Sequence, residues 1–210
     1  MFKKDDIVIF FGDSITESNK TKDEWAIVSD AIGNGFVNMI NSHYYLNTDL
    51  NLRIINKGTS GDRTFDLIER IDQDVLSYKP NHVFIMIGIN DIWRIFDMPQ
   101  IKDFKTNSLE YNKNIEELVT TLLSEDINVI LLTPFYLETN LTNPIRKMVD
   151  LYNNELRNIS LKYNLTLIDL QKSFDKLLNN KSSFLLSRDL VHVNMMGHTY
   201  IKDEILKIIK

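Results

Sequence analysis

Five short runs of Ile, Val, Leu and Phe most constrain what this chain can become. They are Ile7–Phe11, Leu52–Ile55, His82–Ile87, Ile127–Leu132 and Thr166–Leu170. Several are apolar at consecutive rather than alternate positions, the pattern of strands buried on both faces in a parallel sheet covered by helices. The stretches between them have helical spacing. Phe36, Met39, Ile40 and Tyr44 form one stripe, and Phe65, Ile68, Ile71, Val75 and Tyr78 a second. Leu109, Ile115, Leu118, Val119, Leu122 and Leu123 form a third. Ile145, Met148, Val149, Tyr152, Leu156 and Ile159 form a fourth, opened by Pro144 at a first helical position. A last helix is expected over about Met196 to Ile209. Strand and helix in alternation predict an α/β fold with a five-stranded parallel sheet. No repeat or Pro/Gly-rich linker divides the 210 residues, so one domain over 1–210 is expected. Two long connections, residues 17–33 and 92–107, follow strand ends, where open α/β sheets bind ligands.

Several function classes are excluded. The chain has no cysteine, hence no disulfide, thiolate metal site or cysteine nucleophile, which fits a cytosolic protein. A net charge of -5 supplies no basic stripe for a nucleic-acid partner. The first run is too short for a signal peptide, and no apolar stretch reaches the roughly 20 residues of a membrane span. The expected protein is soluble and cytoplasmic, with no membrane partner. Nucleotide or flavin binding is disfavoured by the absence of G-x-G-x-x-G and G-x-x-x-x-G-K-[ST] motifs.

Four segments carry the residue types of acyl transfer. Gly12-Asp13-Ser14 follows the first strand, where glycine permits a sharp turn that lifts a serine hydroxyl above the sheet. Ser14-Ile15-Thr16-Glu17 also reads as a capping box, so Ser14 alone is either cap or nucleophile. A nucleophilic hydroxyl needs a base, and the chain offers His43, His82, His192 and His198. The first two fall in a helix and a strand and the last in the final helix, all structural settings. His192 lies in a polar segment with Asp189 three residues before it, close enough for one turn to set the carboxylate beside the imidazole. A turn-capping aspartate and a surface histidine would read the same way. Asn90, in Gly88-Ile89-Asn90-Asp91 after the third strand, can aim its amide at an oxyanion or simply build a turn. Gly61, after the second strand, can offer a backbone N–H or only flexibility. What decides among these pairs of readings is their joint occurrence after different strands of one parallel sheet. Trp25, Trp93, Arg94 and Tyr136 follow strand ends and are candidates for the substrate rim, or for packing.

Taken together, Gly12-Asp13-Ser14, Gly61, Gly88-x-Asn90-Asp91 and Asp189-x-x-His192 resemble the SGNH (GDSL-type) hydrolase superfamily. The resemblance covers nearly the whole chain. It implies a flavodoxin-like three-layer α/β/α fold. It also implies Ser14 as nucleophile and first oxyanion N–H, Gly61 and Asn90 as the other two donors, and His192 with Asp189 as the rest of a triad needing no metal or cofactor. Ile85 to Arg94, Leu132 to Tyr136 and Gly33 to Val37 resemble the intracellular acetylxylan-esterase-like branch, whose members remove acetyl groups from xylo-oligosaccharides or other acetylated sugars. An acetylated oligosaccharide is therefore the expected substrate. A lysophospholipase, a thioesterase or an inactive carbohydrate-binding relative on the same scaffold are the alternatives. Many relatives have proline after the histidine, where this chain has Val193. Exposed aromatics on the long connections leave room for a homo-oligomer.

Overall fold

A computed structural model of the chain describes residues 2–21, 31–97 and 107–209. Five strands, β1 (Ile7–Gly12), β2 (Arg53–Gly58), β3 (His82–Met86), β4 (Asn128–Leu132) and β5 (Thr166–Ile168), form one sheet in the order β2-β1-β3-β4-β5. Every pairing is parallel. This is the flavodoxin order, whose switch point lies between β1 and β3. The register sets Gly58, Gly12, Met86, Leu132 and Ile168 in one row across the carboxyl edge. Whatever follows those residues therefore emerges on the same side.

The helices among the described residues include α1 (Ser14–Glu17), α2 (Phe36–Asn47), α3 (Thr64–Asp74), α4 (Ile89–Asp97), α5 (Ser108–Ser124), α6 (Pro144–Lys162), α7 (Leu170–Leu178) and α8 (Met195–Ile208). Successive strand residues point to opposite faces. Accordingly Phe10 packs on Phe36 of α2, with ring centroids 5.7 Å apart, while Phe11 lies under the Arg70 guanidinium of α3 at 4.4 Å. Helices α2, α7 and α8 pack together on the Phe10 side, and α3, α5 and α6 on the Phe11 side. The result is three layers around a sheet whose central strands β1 and β3 are almost wholly buried. Among the described residues no helix is long and apolar enough to cross a membrane.

Three expectations about elements need correction. β2 runs on through Asn56 and Lys57, because the ladder to Phe10 and Phe11 holds it, and Asn56 turns its amide inward to Thr16 O (2.7 Å) and Ile32 O (2.8 Å). Residues 92–97 continue a helix begun at Ile89, so the second long connection starts later than the expected residue 92. β5 ends at Ile168 rather than the expected Leu170, because Leu170–Leu178 is a helix capped by Asp169, which accepts from Lys172 N at 3.1 Å. Two stripe members face outward, Phe65 at 50% and Leu109 at 80% exposure. On α3 the buried stripe is Leu67, Ile71 and, just beyond, Val75.

Candidate active site

Ser14 is the first residue of α1, directly beyond the edge row. The cap is not Ser14 but Asp13, whose carboxylate accepts from Ile15 N at 3.0 Å. Burial raises the Asp13 carboxyl to about 7, with the nearby Asp91 and Asp62 carboxylates adding to the rise against the Ile15 bond. Glu17 does not complete a capping box either. Its Oε2 accepts from Ser60 N at 3.0 Å and from the Ser60 hydroxyl, tying α1 to the loop after β2. The Ser14 hydroxyl is thereby left free for another partner. The turn needs Gly12, since a Cβ there would lie 2.3 Å from Met86 O.

That partner is His192, with Ser14 Oγ 2.9 Å from its Nε2. His192 Nδ1 is 2.7 Å from Asp189 Oδ2. A carboxylate accepts only, so Nδ1 carries the proton and Nε2 presents a lone pair to the serine hydroxyl. Asp189 Oδ1 accepts from His192 N (2.8 Å), Val191 N (3.0 Å) and Ser187 Oγ (3.0 Å). Burial alone would raise the Asp189 carboxyl, but the His192 bond and these other donors outweigh it and hold it down to about 2. Leu190 adopts φ +68, a left-handed conformation uncommon for leucine, which closes the turn between carboxylate and imidazole. Asn194 pins the following residues, capping α8 through Met196 N (3.0 Å) and Gly197 N (3.3 Å). Val193 packs its side chain against Gly197 of that helix.

Asn90, in the first turn of α4, donates from Nδ2 to Asp62 O at 2.9 Å, which leaves its second N–H for another acceptor. Gly61 immediately precedes Asp62 and sits at φ +88, a conformation that glycine adopts without strain. Arg70 braces the same region, donating to Asp62 Oδ2 (2.7 Å) and Gly12 O (3.0 Å).

The rim candidates separate. The Trp93 ring lies 5.7 Å from the His192 ring, beside the hydroxyl-imidazole pair. Arg94 pairs with Asp97 at 2.7 Å, and a Cβ on Gly61 would lie 3.7 Å from its Nη2. Such a partly exposed pair is worth about 0–1 kcal/mol, so the guanidinium can exchange partners cheaply. Tyr136 is buried, its backbone held by the Gln171 amide at 2.8 and 3.3 Å, so its ring packs in the fold more than it rims a pocket. Trp25 lies outside the described residues. A cleft of about 510 Å³ opens on Ser14 and His192 and is lined further by Glu17, Asn19, Lys20 and Ser60. The Lys20 ammonium donates to Gly58 O (2.5 Å) and Asn56 O (3.2 Å), and burial lowers it to about 8. Among the described residues no cluster of three His, Cys, Asp or Glu side chains is placed to hold a metal ion.

His198 borders the same cleft but plays another part. Its Nδ1 accepts from Phe36 N (3.4 Å), so Nε2–H faces Ser18 Oγ (3.2 Å) and the ring cannot act as base toward Ser18. Burial lowers it from 6.5 to about 4. The folded state therefore keeps it neutral at pH values where the unfolded chain takes up a proton. Stability should fall as pH drops from about 6.5 to about 4, by about 3 kcal/mol from this group, and change no further below that. In urea titrations at pH 7 and pH 4, His198→Gln should lose about 3 kcal/mol less than the parent protein, and equal losses would refute this role.

A hydroxyl, an imidazole and a carboxylate in series, with N–H donors nearby, are the parts of a serine hydrolase. The sequence pattern of the GDSL-like lipase/acylhydrolase family matches residues 10–200. The chain belongs to this family. An acetylxylan esterase of Geobacillus stearothermophilus is 34% identical over 204 residues, 95% of this chain and 92% of that protein. Among solved structures, LAE5, an α/β hydrolase enzyme from the metagenome of Lake Arreo in Spain, superposes with a TM-score of 0.94 at 33% identity, covering 99% of this chain and 96% of its own. Axe2, an acetylxylan esterase from G. stearothermophilus, gives 0.94 at 32% identity, covering 99% and 95%. Catalytic mutants of Axe2 replace a serine, an aspartate and a histidine by alanine. This GDSL-family chain is a carboxylic-ester hydrolase. Sequence reading missed the supporting residues Ser187, Ser60, Arg70 and Asp13. A hint existed only for Asp13, as a cap-competent residue next to Ser14.

Proposed function

We propose that this hydrolase, acting as one domain over residues 1–210, removes acetyl groups from acetylated oligosaccharides through a Ser14–His192–Asp189 triad. The observation that carries the reading is the unbroken hydrogen-bond chain of 2.9 and 2.7 Å from Ser14 Oγ through His192 to Asp189. His192 Nε2 takes the hydroxyl proton as Ser14 Oγ attacks the ester carbonyl. The oxyanion is met by Ser14 N–H, Gly61 N–H and the free N–H of Asn90. His192 then gives its proton to the departing sugar oxygen. Water, deprotonated in turn by His192, releases acetate and restores Ser14. The steps call on no cofactor or metal.

The preference for a small acyl group on a hydroxylated alcohol is supported by the cleft. Among the described residues Glu17, Asn19, Lys20 and Ser60 line it, with Ile15 and Val193 as the aliphatic members. A long acyl chain needs apolar surface, at about 25 cal/mol per Å² buried, and this lining has little to offer it. Rates on p-nitrophenyl esters should therefore fall steeply beyond acetate, and acetate should be released from acetylated xylo-oligosaccharides. A preference for octanoate would favour a lysophospholipase or thioesterase instead.

A further inference from the structure

Asp91 and Thr64 are each 0% exposed, yet both are polar. Burying such groups is costly unless they are bonded to each other or to the fold. Here the bonds are specific. Thr64 N lies 3.1 Å from Asp91 Oδ2 and 3.3 Å from Oδ1, and Thr64 Oγ1 donates to Oδ1 at 2.7 Å. Asn114 of α5 donates to Thr64 Oγ1 at 3.0 Å, which directs the hydroxyl proton toward Asp91. The carboxylate thus caps the start of α3 from a neighbouring helix. Packing alone has no need of it, since apolar residues of similar volume fill such a space as well or better.

The position of this contact is what matters. Thr64 stands three residues after Gly61, and Asp91 one residue after Asn90. Two hydrogen-bonded contacts join the segments that carry the proposed oxyanion donors. One is the Asn90 Nδ2 bond to Asp62 O at 2.9 Å, which sets the plane of the amide. The other is the Asp91–Thr64 contact beneath it. We propose that Asp91 is a positioning residue whose bonds to Thr64 set the separation between Gly61 N–H and the Asn90 amide. The proposal rests on the reading that Gly61 and Asn90 donate to the oxyanion. Misplacement by about 1 Å at a reacting centre can cost about 10²-fold, so a strut in the layer below has leverage on rate.

The test measures kcat, KM and Tm on p-nitrophenyl acetate for Asp91→Asn, Thr64→Val, Thr64→Ser, Asn90→Ala and the double variant Asn90→Ala/Asp91→Asn. Asp91→Asn should lower kcat by about 10- to 100-fold with KM within about threefold. Thr64→Val should lower it by about 10-fold, and Thr64→Ser, which keeps both donors, should recover most of that loss. Asn90→Ala should cost about 10²–10³-fold, and adding Asp91→Asn should cost little more, because the strut then has one donor fewer to place. A double variant slower by the full product of the single losses, or a loss confined to KM, would overturn the positioning role. An unchanged kcat in Asn90→Ala would instead remove the oxyanion reading, and this proposal with it. If Asp91→Asn fails to fold, Thr64→Val paired with Asn90→Ala decides by the same criterion.

Discussion

Ser14→Ala is expected to lower kcat for ester hydrolysis by about 10⁴–10⁶-fold while leaving Tm nearly unchanged. The hydroxyl makes one described contact, to His192, and the cap of α1 belongs to Asp13. Removing it would therefore take the proposed nucleophile without unseating the turn. His192→Ala should cost a similar factor, and the double variant hardly more than either single one, since nucleophile and base act as a unit. Some rate above water should persist, because the N–H donors remain. Steady-state kinetics with matched melting curves would check this. Ser14→Ala activity within tenfold of the parent would remove Ser14 as nucleophile.

Asp189→Asn should lower kcat by about 10⁴-fold at neutral pH. The asparagine Oδ1 can still accept from His192 N and Val191 N, so the turn survives. Its Nδ2, set where Oδ2 was, would donate to His192 Nδ1 and drive the imidazole proton onto Nε2. The ring would then face Ser14 with a donor and could not take its proton. The loss is one of tautomer rather than of fold, and circular dichroism beside kinetics separates the two. The Asp189 carboxyl is held down to about 2, so its contribution to stability is intact above about pH 4 and is lost only as pH falls toward 2. At pH 7 the variant lacks that contribution but keeps the bonds from Val191 N and His192 N, so it should be less stable than the parent, still folded by circular dichroism and nearly inactive. Activity within tenfold of the parent would take Asp189 out of the triad.

Short apolar runs located all five strands, and they are continuous where burial on both faces leaves no room for alternation, as in β1 and β3. This pattern failed at the end of β2, where Asn56 and Lys57 are held in the ladder by backbone bonds that carry no trace in side-chain type. It also ran past the end of β5 into Leu170–Leu178, where Leu170, Phe174, Leu177 and Leu178 follow helical rather than strand spacing. The outward turn of Phe65 and Leu109 had a related cause. A stripe at helical spacing does not say which of two adjacent apolar rows meets the sheet. At the site, Gly12, Ser14, Gly61, Asn90, Asp189 and His192 were legible as residue types placed after strands or before the last helix. Their supports were not, because Arg70, Ser187 and the Asp91–Thr64 contact act across elements far apart in the chain.

The sequence by itself determined the layered α/β scaffold, the family, and which side chains stand at the carboxyl edge. Those follow from local pattern, which the backbone periods of strand and helix translate directly into placement. Only the tertiary structure decided that Asp13 rather than Ser14 caps the first helix, that His192 presents Nε2 to a serine 178 positions away, and that Tyr136 is packed inward. Each of those is a choice among bonding partners with equal local standing. The choice is made where parallel strands in the order β2-β1-β3-β4-β5 bring their ends into one row, and two cap-competent neighbours find different partners waiting there.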